Sequence, residues 1–241
     1  MDGLEGFGAL EQYNNAGDLV GLGELDDAEL LGALRNMNPI QRQRTINRLA
    51  SPNAPSRGSR AEMERFFGEL PANIKEALVK GDLRLADAIV YSIKQVTSKT
   101  TKMFETQDTK AIGITNISNA KLPKNQALLV SGITLLCGTS VDTTKDKVMA
   151  TDYRAIENYP AICSGELNLK SNKKQILPET SCYLFKTNNF HNTPIGYYKL
   201  ANPRLIMDDV LIELTLELGT MDGLPANAFI FAALHGTITT P

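Results

Sequence analysis

The side chains best able to do chemistry in this chain are two histidines, three cysteines and a run of six arginines. His191 lies in the polar stretch Phe190-His191-Asn192, and His235 ends an apolar run in Leu234-His235-Gly236. Imidazole can serve as acid, base or metal ligand. A metal site on a β-sandwich or barrel, however, draws several His and carboxylate ligands from neighbouring strands, and two distant histidines with no His-x-His pair do not fit that pattern. A Ser–His–Asp triad assembles in space, not in sequence, but the strand-turn-helix elbow that presents a nucleophilic serine is missing. Cys137, Cys163 and Cys182 fall in strand-like apolar runs without metal-ligand spacing. They read as small buried hydrophobes, which leaves Cys–His chemistry without an accessible thiolate. Asp26/Asp27, Asp208/Asp209 and Glu213/Glu217 read as a helix start, a turn and a solvated strand face. The glycines of Gly3–Gly8 and Gly17–Gly23 lie in a polar arm and not between a strand and a helix, so they make no phosphate loop. No catalytic, cofactor-binding or metal residue is assigned, and the expectation is a chain that is not an enzyme and carries no cofactor.

The arginines carry more signal. From Leu30 to Ala61 there is no acid, and Arg35, Arg42, Arg44, Arg48, Arg57 and Arg60 fall in that interval; lysine is absent until Lys75. Arginine without lysine suits planar, bidentate contacts with phosphates or carboxylates. Three roles fit this stretch. One is contact with nucleic acid or lipid headgroups, another is pairing with the acidic N-terminal arm of a neighbouring copy, and the third is a solvated helix face. No aromatics interleave with these arginines, which disfavours single-strand stacking.

The elements around these residues form three zones. Residues 1–24 are Gly-rich, with Asp2, Glu5, Glu11, Asp18 and Glu24 and no Lys or Arg, and are expected to form a flexible acidic arm. Residues 25–96 read as a helical, Arg-rich region. Asp26 and Asp27 precede a Leu30, Leu31, Leu34 stripe, and Pro39 opens a segment with Ile40, Ile46 and Leu49. Residues 51–59 have linker composition. Ser59 then caps a segment with Met63, Phe66 and Phe67, and Pro71 and Gly81 bracket a helix through Ile74, Ala77 and Leu78. Leu83–Val96 fits either a helix face (Leu85, Ile89, Ile93) or a strand (Ile89-Val90-Tyr91).

Residues 97–241 read as strands: Lys99–Glu105, Lys110–Ile117, Ala127–Cys137, Ala161–Lys170, Gln175–Leu177, Cys182–Thr187, Ile195–Ile206 (bent at Asn202-Pro203), Val210–Leu218 and Ala228–Ile238. Residues 138–160 form a long polar loop, and no helix is expected among the strands. In Val210–Leu218 the apolar residues Val210, Ile212, Leu214, Leu216 and Leu218 face inward and Glu213, Thr215 and Glu217 face outward, a period of two. Eight or nine strands between Pro, Gly and Asn turns indicate a sandwich or barrel. Eight strands in two sheets is the jelly-roll count, and Greek-key sandwiches with fewer strands also fit. The fold expected is therefore mainly β: a single jelly-roll-like antiparallel sandwich preceded by an α-helical N-terminal extension.

Hydrophobic residues make up 42% of the 241 and charged residues 22%, enough for a sizeable core, while a net charge of -2 implies no polyanion partner by itself. Residues 1–20 lack a basic start and an apolar segment, so no secretory leader is expected, and no apolar run reaches the ~18–20 residues of a membrane span. Synthesis in a reducing cytoplasm follows.

Leu122-Pro123-Lys124-Asn125 into Ala127–Leu136, then Gly165-Glu166-Leu167-Asn168-Leu169, then Tyr198-Lys199-Leu200-Ala201-Asn202-Pro203, then Phe229–Gly236, resembles the jelly-roll coat proteins of tailless icosahedral bacteriophages over about residues 97–241. The resemblance implies a virion shell protein that packs against copies of itself and other capsid proteins, with N-terminal segments facing the genome, an internal membrane or neighbouring subunits. Major capsid proteins of many membrane-containing phages carry two rolls per chain. A single roll here leaves room for a coat, vertex or minor component. A receptor- or carbohydrate-binding jelly-roll module is the alternative. It would need an exposed aromatic site, for which Tyr183, Phe190, Tyr197 and Tyr198 are the candidates in a chain without Trp.

Overall fold

The computed structural model describes residue 63, residues 65–187 and residues 194–241. They divide into two units. One contains the described residues up to Ala86 together with Thr239–Pro241, and the other spans Asp87–Ile238. Arg35, Arg42, Arg44, Arg48, Arg57 and Arg60, the acidic arm, Ser59, Phe190 and His191 lie outside the described residues.

In the first unit, helix α1 (Ala72–Lys80) begins and ends where its flanking residues require. Pro71 holds the N-cap position, where a missing N–H removes no helical bond. Gly81 takes a φ of 83°, in the left-handed region, and the N–H groups of Gly81 and Asp82 close on the carbonyls of Leu78 and Ala77 at 3.2 and 2.9 Å. Ile74 and Leu78, four residues apart on one face, are buried. A 3-10 turn, Phe67–Glu69, precedes the helix.

Strand β1 (Arg84–Gln95) resolves the ambiguous run in favour of a strand. Val90 faces the main core while Ile93 packs in a second apolar cluster with Val148 and Phe229. Only Val90, Ser92 and Ile93 of this strand are buried, too short a stretch for a period of two to stand out, and periodicity could not settle the segment. Eight strands follow: β2 (Thr100–Lys102), β3 (Ala127–Thr139), β4 (Arg154–Ala155), β5 (Glu166–Ser171), β6 (Lys174–Ser181), β7 (Tyr197–Met207), β8 (Ile212–Glu217) and β9 (Ala228–Thr240).

They form two antiparallel sheets. The first has the order β1-β9-β3, with β7 and then β4 along the other edge of β3; the second has the order β2-β8-β5-β6. With the two-residue β4 set aside, the pairs are nested. β1 pairs β9, β2 pairs β8, β3 pairs β7 and β5 pairs β6. The innermost pair turns at Asn172-Lys173, both at positive φ (50° and 63°), as a type I′ hairpin turn demands. Inward side chains of both sheets meet in one core. Leu128, Val130, Ile133, Leu135, Ile230, Ala232 and Leu234 come from the first sheet, and Leu167, Leu169, Leu177, Ile212, Leu214 and Leu216 from the second.

Several expected strands differ. Ala161–Lys170 begins as a strand only at Glu166, because Pro160 opens a short helix α3 (Pro160–Cys163). Cys182–Thr187 is not a strand. Cys182–Phe185 is a 3-10 turn whose two buried residues, Cys182 and Phe185, stand three apart, the period of that helix. Lys110–Ile117 is not a strand either. Ala111–Thr115 is a tight turn tied to β1 by the bridge Ser92 to Thr115 and by the Ile93 N–H donating to the Ile114 carbonyl at 2.8 Å. Pro178-Glu179-Thr180 continues β6, an edge strand that tolerates the missing N–H. The loop after β3 holds helix α2 (Lys145–Met149), β4 and a 3-10 turn, Ile156–Asn158, where no helix was expected. The bend at Asn202-Pro203 is an irregularity in pairing. β7 is continuous, but its register against β3 jumps from Val130↔Arg204 to Gly132↔Lys199.

Candidate functional site

Two polar clusters stand out among the described residues. The first begins on β1. There Ser92 and Lys94 continue the inward face of Val90, so a cation is directed toward the end of the sandwich. The chain after β2 returns to meet it. Lys94 Nζ donates to Glu105 Oε2 at 2.8 Å and to Asp108 Oδ1 at 2.6 Å. The other Asp108 oxygen accepts the Glu105 backbone N–H at 2.9 Å. Burial pulls the Lys94 pKa down, but the hydrogen bonds and charges of Asp108 and Glu105 outweigh it, and the net direction is up. A lysine held this way keeps its proton. It clasps two segments together and is neither a nucleophile nor a base.

Beside the clasp is a cleft of ≈ 210 Å³ whose polar wall includes Ser92, Asp108, Thr109, Thr115 and Lys145. Ser92 is fully buried, and its Oγ has no hydrogen-bond partner among the described residues. A buried hydroxyl without a partner carries its desolvation cost uncompensated. Ser92→Ala is therefore expected to be neutral or stabilising, by up to about 1 kcal/mol, as read from urea denaturation. A clear loss of stability would mean that the hydroxyl serves a bound group.

The second cluster surrounds His235 on β9. A bulge at Ser131 shifts β3 by one residue against β9, from Val130↔Gly236 to Gly132↔His235. His235 Nε2 lies 2.8 Å from Thr134 Oγ1. The ring stands edge-on to Tyr197, centroids 5.3 Å apart and planes at 85°. A hydroxyl beside an imidazole has the outline of a nucleophile–base pair, but such a pair also needs a third group to orient the base. Among the described residues no carboxylate pairs with His235, and burial alone lowers its pKa. His235 thus packs as a neutral side chain.

The sign of that shift fixes a pH dependence. A histidine whose folded pKa lies below its unfolded value near 6.5 contributes fully above that value, and its contribution falls as pH drops through it, because the unfolded chain binds the proton first. Stability is expected to fall between about pH 7 and pH 5. Comparing denaturation curves of the parent and a His235→Gln variant tests this; an equal slope in both would remove His235 from the account.

Cys137, Cys163 and Cys182 are free and buried, as their apolar settings led us to expect. Burial pushes the Cys137 and Cys182 thiols up to about 12 and raises Cys163 as well. Among the described residues no group of three or more His, Cys, Asp or Glu is arranged to hold a metal, and no helix is long and apolar enough to cross a membrane. Of the tyrosines considered for an aromatic site, Tyr198 packs edge-on to Phe185 and Tyr197 on His235, while Tyr183 is 60% exposed. Sequence reasoning missed the Lys94 clasp. Its signal was a lysine two residues beyond Ser92 on the inward face, visible only if the segment is taken as a strand. No known protein family matches this chain, and no curated protein matches it.

Proposed function

We propose that this chain is a structural virion protein, a non-enzymatic coat subunit that self-assembles into an icosahedral shell. Its two sheets form a jelly roll, and its N-terminal region faces the particle interior or neighbouring subunits. The observation that carries this is the nested pairing of eight strands, first with last and so inward to the β5–β6 hairpin. That order is what one long antiparallel hairpin produces when it is rolled into two facing sheets. The segments that resemble phage coat proteins fall on or beside β3, β5 and β9, inside the two sheets, and β7, at an edge of the first. The chemistry agrees with an inert role: Lys94 is locked in ion pairs, His235 is partly buried against Tyr197 with no carboxylate partner among the described residues, and the three cysteines are buried. On this proposal the protein is made in the host cytoplasm and resides in the virion. Its partners are other copies, other capsid proteins and, through Arg35, Arg42, Arg44, Arg48, Arg57 and Arg60, the genome or an internal membrane.

Light scattering and negative-stain imaging of the purified chain test the proposal. Large symmetric particles or rings are the expected result. Tyr183, exposed beside Leu184, is the observation favouring a receptor- or carbohydrate-binding module instead. A stable monomer that binds glycans, and loses them on Tyr183→Ala, would replace the shell subunit with that module.

A further inference from the structure

Ile112 and Val141 are 91% and 89% exposed, and Met149 is 44% exposed. An exposed apolar side chain is ordinary when it stands alone on a mobile loop. These three are not so placed. Ile112 stands at the tip of the Ala111–Thr115 turn, where Ile114 N–H donates to the Ala111 carbonyl at 3.0 Å and Ala111 N–H to the Thr115 carbonyl at 3.0 Å. Gly113 follows at φ 82°, the left-handed conformation that such a turn requires, and its N–H donates to Tyr91 Oη at 3.2 Å. Met149 of α2 lies against Gly113. The next residue inward, Val148, packs with Ile93 and Phe229 and so fixes α2 on the first sheet. Val141 precedes α2 in the chain, and its neighbours are anchored. Ser140 N–H donates to the Asn227 carbonyl at 3.0 Å, and Ser140 Oγ donates to the Asp142 carbonyl at 2.6 Å. These apolar groups are thus presented on hydrogen-bonded turns and a packed helix. Little ordering entropy is left to lose when something covers them.

The charges around them indicate what does. Asp142, Lys145, Asp146 and Lys147 are all exposed and alternate in sign within one short segment. A lipid surface or a strongly charged partner calls for one sign. A patch carrying both signs, Lys110 beside Ile112 included, offers each copy partners for the charges of another. Two copies related by a rotation axis can set the lysines of one against the aspartates of the other around an apolar centre.

We propose that Ile112, Val141 and Met149 form the centre of a contact by which this chain docks, patch to patch, on a second copy of itself. The inference rests on the shell-subunit proposal and names one of its interfaces.

The test uses the full chain. An Ile112→Lys/Val141→Lys variant changes two side chains that the fold does not bury, so its melting temperature is expected to match the parent. The protein concentration needed for assembly, followed by light scattering and sedimentation velocity, is expected to rise at least about tenfold. An Ile112→Cys variant gives a second readout. The three native cysteines are buried, so a short bis-maleimide should join copies through position 112 alone, and covalent dimers are expected under assembling conditions. If the parent assembles, the Lys variant assembles as readily and no covalent dimer forms, the contact is wrong and the shell proposal stands. If the parent stays monomeric at every concentration, both fall. Binding of the parent to anionic vesicles, lost in the Lys variant while assembly is unchanged, would overturn the contact by assigning the patch to a membrane.

Discussion

Gly236→Ala is expected to destabilise the Asp87–Ile238 unit by more than about 3 kcal/mol, although it adds one methyl group. A Cβ at position 236 would collide with the Leu129 carbonyl oxygen, and it would stand 2.8 Å from the Leu129 carbonyl carbon and 3.3 Å from Val130 Cα. All three are backbone atoms of β3. A flexible side chain could swing away, whereas β3 cannot. It lies in the middle of the first sheet, bonded to β9 on one side and to β7 on the other, and Leu128 and Val130 are buried in the main core. The cause of the close approach is the bulge at Ser131, which shifts the β3 register between Val130↔Gly236 and Gly132↔His235. To make room, the two longest strands of the protein must separate at their centre. Against a typical domain stability of about 5–15 kcal/mol, that leaves little margin. Guanidinium denaturation of parent and variant measures the loss. A change below about 0.5 kcal/mol would mean that the bulge relaxes freely and the β3–β9 ladder is not as tight as these positions imply.

That bulge was not legible in the sequence, and the reason is general to this fold. A strand with one solvated face announces itself, as β8 does. Ile212, Leu214 and Leu216 are buried between the more exposed Glu213, Thr215 and Glu217, as alternation alone led us to expect. β3 and β9 are covered on both faces over much of their length, so their composition marks an apolar run and says nothing of register. The pairing is also non-local: β1 meets β9 across more than a hundred residues, and no turn signal reaches that far. The sequence therefore supports a mainly β sandwich, while the nested order needed three-dimensional contacts. Short helices were lost for a different reason. In α3 the cue was Pro160 at the first helical position, outweighed by the strand-like alternation that follows it at Glu166–Lys170.

Side chains that pair at a distance were the least visible. Glu105 and Asp108 read as ordinary loop acids until the chain after β2 turns back on β1 and sets both on Lys94. The polar character of this clasp follows from its place. Lys94 continues an apolar face past the end of the core, where an ammonium can be only half-buried and must bring its own counter-ions. The arginines that carried most of the functional argument from sequence lie outside the described residues, so their role is tested by assembly and not by geometry.

Phe185→Ala is expected to cost about 3–5 kcal/mol, the range for emptying a buried aromatic site, with a fall in Tm of about 6–20 °C for a unit of this size. Phe185 is among the largest fully buried side chains described, and it belongs to the main core. It arrives there on the 3-10 turn Cys182–Phe185 that follows β6, and its ring meets Tyr198 of β7 edge to face, centroids 5.8 Å apart and planes at 65°. One ring therefore joins the end of the second sheet to an edge of the first. Phe185→Leu separates the two contributions. It keeps most of the volume and removes the aromatic pair, itself worth about 0.5–1.5 kcal/mol, so a loss of about that size is expected. The 3-10 geometry makes the site hard to refill. Lys186 N–H is bonded to the Tyr183 carbonyl at 3.1 Å, and Cys182, three residues before Phe185, is itself buried, so the turn cannot slide inward without lifting one of them. Chemical and thermal denaturation of the two variants against the parent measure both losses. Equal losses for Ala and Leu would locate the stabilisation in the ring pair, and a loss below about 1 kcal/mol for Ala would show that the turn collapses into the space and is not the strut described.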